Sequence, residues 1–235
     1  MDRVETDTDG RRQIAHSLLS RSKWDYDMDR KEFSNLVGGT LRHVTLKTNL
    51  PGIRQNGLLR ASTLKEAAKE ISRPSCPRSE ACTFDFGGLP VTLNHQKPLL
   101  AGRKRAAEFL DGHCLKSWAE SLDHRLFFWP GRGGADFSSS LTDRGTVIAL
   151  ECDAEAFFEV YAVSSDLAPI NTGSAMRNAS KRGDWIYVPV TAPLNQFREN
   201  RRTRGLVKGR DSVVEVSLRC DIAPKDFYRL FSVEG

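Results

Sequence analysis

The chain has 235 residues, 39% hydrophobic and 28% charged, with 18 Gly and 10 Pro. At roughly 150 residues per domain this is one large domain, or one domain with an appendage; collagenous and wholly disordered classes are excluded. No apolar run is long enough to span a membrane and the first residues are too polar for a secretory signal, so a cytoplasmic protein without membrane contact is expected. Lys and Arg number 35 against 30 Asp and Glu, a formal net charge of +5, and the excess falls late in the chain.

Residues 1–36 are polar, with only a weakly amphipathic stretch around Ile14 to Leu19, and are expected to form an N-terminal appendage to a domain over residues 37–235. Thr40 to Thr45 (TLRHVT) is rich in β-formers and follows two glycines, which predicts a strand. Asn49 reads as a helix N-cap with Pro51 in the first turn and Gly57 as the stop. Ser62 to Ile71 has helical periodicity, whereas Arg73 to Leu93 is broken by Pro74, Pro77, Gly87, Gly88 and Pro90 and predicts a long loop. Lys104 to Leu110 and Leu115 to Leu122 predict helices, and Arg125 to Trp129 (RLFFW) a strand ended by Pro130. Thr146 to Cys152 predicts a buried strand, Ala154 to Val160 a short helix or strand, and Trp185 to Val190 and Ser212 to Leu218 two further strands. The class is mixed α+β.

Three places depart from local rules, and such departures are where function is sought. Strand alternation puts His43 on one face with Leu41 and Thr45, as a satisfied core histidine or as a ligand contact. Alternation also puts Glu215 in the middle of the β-branched run SVVEVSL, where carboxylates are depleted; the plain account is an edge strand facing water. Pro169 to Gly173 (PINTG), followed by Arg177, Lys181, Arg182 and Gly183, is a turn-rich insertion that is either a loop or a ligand wrap. Between positions 198 and 210, Arg198, Arg201, Arg202, Arg204, Lys208 and Arg210 face a single acid, Glu199. That run predicts a flexible basic loop, either a solvated face or a tracker of phosphates. The five cysteines, Cys76, Cys82, Cys114, Cys152 and Cys220, include no CxxC pair, so neither a disulfide framework nor a metal site is expected.

The segment LRHVTLKTNLPGIRQNGLLRAS resembles the opening of DarT-like DNA ADP-ribosyltransferases, in which an H-x-T strand precedes a helix of the type NLPSIxxxGL. The succession NHQKP, RLFFWP, VIALECD, PINTGS, RG, VVEVSL and DIAP also resembles an uncharacterised bacterial family distantly related to those enzymes. The resemblance implies an ADP-ribosyltransferase-like α+β fold, a split antiparallel β-sheet with flanking helices and with NAD in the cleft between its halves. It implies His43 and Thr45 as NAD-binding residues, Glu215 as the catalytic carboxylate, and Asn171, Thr172 and Gly173 as an NAD loop with Arg182 as an option for the phosphate. Arg132 in FFWPGR is the counterpart of a catalytic arginine in those enzymes; the other reading is a solvent-facing side chain in a Gly-rich turn.

NAD is then a co-substrate, no metal is needed, and the acceptor is nucleic acid, DNA or RNA, with residues 191–212 as the acceptor segment. Such an enzyme is of toxin or phage-defence type, which leaves room for an antitoxin. Two alternatives remain open: an RNA 2'-phosphotransferase-like NAD enzyme, and a non-catalytic module that binds nucleic acid or a partner on the same fold. Trp185 and Tyr187 are candidates for stacking a base, although alternation makes one of them core.

Overall fold

A computed structural model describes residues 27–68, 75–131, 147–176, 180–206, 208–209 and 211–234. Helix α1 (Arg30–Val37) starts where the Asp29 carboxylate accepts the backbone N–H groups of Lys31 and Glu32, each at 2.8 Å. It ends at Gly38, which takes the left-handed conformation (φ 79°) that terminates many helices. Met28, Phe33 and Val37 are buried in the main core, so residues 28–36 belong to the packed fold and not to an appendage.

Strand β1 (Thr40–Leu46) pairs antiparallel with β5 (Val147–Asp153) along its whole length, Thr40 opposite Asp153 and Leu46 opposite Val147. On its other edge it meets β4 (Leu126–Pro130) only at Leu41 opposite Pro130 and Arg42 opposite Trp129. Beyond β4 lie β8 (Glu215–Leu218), β6 (Ser165–Ala168) and β7 (Val188–Pro189); beyond β5 lies β9 (Phe231–Glu234). The seven-stranded sheet runs β7-β6-β8-β4-β1-β5-β9 and is antiparallel throughout. Its two halves are therefore joined by a two-residue ladder between β1 and β4, and the strands part beyond it.

Helix α2 (Leu50–Asn56) follows a single 3-10 turn, and α3 (Ala61–Ala67) follows α2. After them comes a two-stranded hairpin, β2 (Cys82–Phe86) with β3 (Leu89–Leu93), within the stretch Arg73 to Leu93 predicted as loop. Gly87 (φ 63°) and Gly88 (φ 81°) make its turn, so residues that read as breakers are what a tight hairpin needs. Pro90 is tolerated because a two-stranded ribbon has a free edge. Short helices α4 (Lys97–Leu100) and α5 (Ala106–Phe109) lead to α6 (Leu115–Asp123).

Helix α7 (Ala154–Tyr161) lays Phe157, Phe158 and Tyr161 into the main core, which also takes in Leu41, Phe128, Leu150 and Val216 from the sheet. A second cluster gathers Leu99, Phe109, Trp118, Ile186 and Tyr187, and a third sits under the hairpin around Leu64, Phe84 and Val91.

Three further expectations need correction. Trp185 to Val190 forms a 3-10 turn (Asp184–Ile186) and only two strand residues, because Pro189 offers no N–H to extend a ladder. The basic stretch predicted as a flexible loop is helical over α8 (Leu194–Thr203), which follows Pro193 and buries Phe197 and Arg201 at the spacing of one helical turn. Ser212 to Leu218 is strand only from Glu215. Strands β6 and β9 and helix α9 (Pro224–Leu230) were not expected from the sequence.

Candidate functional site

Where β1 and β4 part, a cleft of about 610 Å³ opens between the sheet and the hairpin unit, within the range of small-molecule sites. His43 and Thr45 from β1, Arg125 before β4, Asn171 and Gly173 from the turn after β6, and Glu215 from β8 all line it. The two residues singled out first by local pattern, His43 and Glu215, thus share one hollow.

His43 crosses the gap between the parting strands: its Nδ1–H donates to the Phe127 carbonyl at 2.9 Å. Burial lowers its pKa, with the Phe127 carbonyl acting in the opposite direction. The ring is neutral at neutral pH, and Nδ1–H donation leaves Nε2 as an acceptor. Thr45 Oγ1 accepts from Asn49 Nδ2 at 3.2 Å. Asn49, read as a helix cap, makes no capping bond and instead clamps the hairpin: Nδ2 donates to the Thr92 carbonyl at 3.0 Å and Oδ1 accepts from the Thr92 N–H at 2.8 Å.

Glu215 is 2% exposed at the start of β8, opposite Ala168 of β6. Its Oε1 accepts from the Thr172 backbone N–H at 3.2 Å and from the Thr172 hydroxyl; Oε2 accepts no bond among the described residues. Tyr187 Oη donates in turn to Thr172 Oγ1 at 3.0 Å. Burial pushes the Glu215 carboxyl up to about 7, opposed by the Thr172 hydrogen bonds and the charges of Arg182 and Arg125. Water-facing edge placement is thereby excluded for this glutamate.

Arg182 is 1% exposed and does not line the cleft. Its Nη1 donates to the carbonyls of Asn171, Thr172 and Ser174 at 2.8 to 3.2 Å, and its Nε to that of Ser180 at 3.0 Å. Asn171 Oδ1 accepts from Gly173 N–H at 3.1 Å, closing the same turn. Arg182 therefore shapes the PINTG loop from behind, and that loop carries the Thr172 donors to Glu215. Arg132 lies outside the described residues.

Two groups in the cleft wall escaped the sequence reading. Arg125 stacks 3.7 Å above the Tyr187 ring while its Nη1 reaches Asp166 at 2.5 Å and Ser217 at 2.9 Å. Arg78 and Asp123 form a buried, two-pronged ion pair at 2.6 and 2.7 Å. Lys65 meets the same carboxylate at 3.1 Å, and Gln96 at 3.3 Å. NHQKP was a local signal for this region, since Asn94 and Gln96 both bond Arg78, but nothing in it named the distant Asp123. Asp221 of DIAP holds Arg60, with its carboxylate accepting from the Arg60 N–H at 2.7 Å and Nε at 3.0 Å, and so ties β8's exit to α3.

Among the described residues no group of three or more His, Cys, Asp or Glu is placed to hold a metal ion. No helix among them is long and apolar enough to cross a membrane. Fold and site define an α+β protein whose antiparallel sheet parts around a ligand-sized cleft with a buried carboxylate. The chain belongs to DUF7002, a family of unknown function, whose family model matches residues 39–227. No curated protein matches it.

Proposed function

We propose that this protein is an NAD-dependent ADP-ribosyltransferase that modifies nucleic acid, DNA or RNA, in the cytoplasm, as an effector of toxin or phage-defence type. The observation that carries the reading is the convergence of His43 and Glu215 on one cleft at the parting of the sheet. The lining suits a dinucleotide. His43 offers an acceptor for a ribose hydroxyl, Asn171 an amide, and Arg78 and Arg125, each already bonded to a carboxylate, their remaining guanidinium N–H groups for a diphosphate.

NAD supplies the leaving group, nicotinamide, so the protein's tasks are to bind, orient and exclude water. Glu215, once ionised, stabilises the positive charge that develops on the ribose as the glycosidic bond lengthens, and takes the proton of the incoming nucleophile. Its value near 7 suits both duties at neutral pH. Thr172 holds one carboxylate oxygen and leaves the other to the ligand.

The test is incubation with NAD and separate pools of DNA, RNA and protein, followed by mass analysis for added ADP-ribose. The expected result is ADP-ribose on DNA or RNA, lost in Glu215→Gln. Absence of NAD binding by calorimetry would leave a non-catalytic module, and release of a 2'-phosphate from RNA would indicate the phosphotransferase chemistry instead.

A further inference from the structure

Thr172 supplies both protein donors to Glu215, and Thr172 is itself held by three side chains. Its backbone carbonyl accepts from Trp118 Nε1–H at 3.2 Å and from Arg182 Nη1 at 2.9 Å, and its hydroxyl oxygen accepts from Tyr187 Oη–H at 3.0 Å. Thr172 and Trp118 are wholly buried, and Tyr187 is 8% exposed. Glu215 lines the cleft, whereas Thr172, Tyr187 and Trp118 do not, so this chain of donors runs behind the wall. Arg125 lies 3.7 Å above the Tyr187 ring, and Trp118 stacks on that ring with centroids 6.1 Å apart. Tyr187 is therefore a core residue and not a platform for a base.

The sense of the chain follows from its protons. A threonine hydroxyl has one proton to give and lone pairs with which to receive. Burial, followed by the charge of Glu215, pushes the Tyr187 phenol up, so Tyr187 keeps its proton at neutral pH and remains a donor. With Tyr187 donating to Oγ1, the Thr172 proton has Glu215 Oε1 as its acceptor, and two hydroxyl bonds in line polarise one another. Oε1 thus receives a backbone N–H and a hydroxyl O–H together, the setting of an acceptor oxygen and not of one that carries a proton.

We propose that Tyr187 is a positioning residue for Glu215: through the Thr172 hydroxyl it keeps Oε1 an acceptor in both charge states and so sends the exchangeable proton to Oε2, the oxygen left to the ligand. This deepens the transferase reading above and rests on it. In that reaction the bond from ribose to nicotinamide breaks as the bond to the nucleophile forms, and the nucleophile's proton arrives on Oε2. The other charged or titratable groups around Glu215 are Arg182, Arg125 with its partner Asp166, and His43 on the same cleft, and all are kept in the variants below.

The experiment follows Glu215 without NAD, by infrared difference spectra across pH in which the band of its protonated carboxyl is the one missing from Glu215→Gln. Tyr187→Phe keeps the ring and deletes only the donor. It is expected to raise the Glu215 midpoint by about one pH unit and to shift that carbonyl band, because Oε1 loses an oriented donor. Thr172→Val raises the midpoint as well, and adding Tyr187→Phe to Thr172→Val raises it no further, since Tyr187 acts through the hydroxyl alone. Thr172→Ser, which retains the hydroxyl and the N–H, is expected to keep the midpoint of the unaltered protein, and circular dichroism verifies that each variant is folded. An unmoved midpoint in Tyr187→Phe overturns the proposal, as does an equal displacement by Tyr187→Phe with and without the Thr172 hydroxyl. NAD turnover is measured separately: Tyr187→Phe is expected to move the pH limb of kcat by the same shift and to leave KM for NAD within about twofold. A displaced midpoint in a protein that does not turn NAD over would retain the relay and remove the transferase reading.

Discussion

A carboxylate inside a strand is costly unless its oxygens find donors, and at Glu215 both protein donors belong to Thr172 and fall on Oε1. Because burial raises the folded-state pKa from an ordinary 4.5 to about 7, the folded protein holds a proton that the unfolded chain has released between those values. The contribution to stability is complete below about 4.5 and disappears as the pH climbs through about 7. Glu215→Gln removes this titration, so the variant is expected to gain on the unaltered protein by up to about 3 kcal/mol between roughly pH 5 and pH 8. Urea unfolding of both proteins across that range provides the measurement; a constant difference would mean that Glu215 does not titrate there. His43 acts with opposite sign, since its lowered value stabilises at high pH and fails as the pH falls, but it is common to both proteins and cancels. A second substitution probes the donor. Thr172→Val deletes the hydroxyl bond, raises Glu215 further and, on the proposed transferase reading, shifts the alkaline-rising limb of NAD turnover to higher pH, which a rate profile against pH detects.

At the scale of elements, the join between α2 and the end of the sheet depends on a single glycine. Gly57 has φ 86°, and a Cβ there would lie 2.1 Å from the Ile222 carbonyl oxygen, the acceptor of the Leu58 N–H at 3.0 Å. Gly57→Ala is expected to cost more than about 2 kcal/mol in a thermal or urea melt through backbone strain plus the lost bridge; a smaller loss would mean that the 57–58 segment shifts freely. Strands β1, β4 and β5 were legible because buried strands read as apolar or β-branched runs whatever their partners. The glutamate and the histidine were legible for the converse reason, as the wrong residues in such runs. The hairpin was hidden because Gly87 and Gly88 signal both a break and a turn, and only the pairing of Phe84 with Val91 decides between them. Helix α8 was hidden because Arg201 reads as a solvated charge, whereas its guanidinium is buried by bonding the Ser212 and Lys208 carbonyls. Arg182 was misassigned for the same reason: a sequence shows a cation, not which backbone oxygens have already claimed it.

Across the whole molecule, the cleft exists because a sheet with a two-residue seam is faced by a separate unit spanning residues 75–96, and polar clamps set the spacing between them. Asn49 grips Thr92 from the sheet side, and Arg78 reaches Asp123 at the end of α6. Arg78→Met leaves the buried Asp123 carboxylate with Lys65 and Gln96 as partners, so it is expected to cost less than the about 3 to 5 kcal/mol of a fully broken buried pair, while the double variant Arg78→Met with Asp123→Leu, in which Lys65 turns to solvent, recovers most of it, since well-packed apolar groups replace such pairs at little loss. Stability and ligand affinity then separate. Arg78 also lines the cleft, so the double variant is expected to unfold near the urea midpoint of the unaltered protein yet, if the cleft holds NAD as proposed, to bind it at least about tenfold more weakly, through loss of a guanidinium contact and of the wall's register. Unfolding curves and calorimetry on the two single variants and the double one measure both quantities. Recovered stability with undiminished NAD affinity would reduce the pair to a packing device and place the diphosphate elsewhere along the cleft.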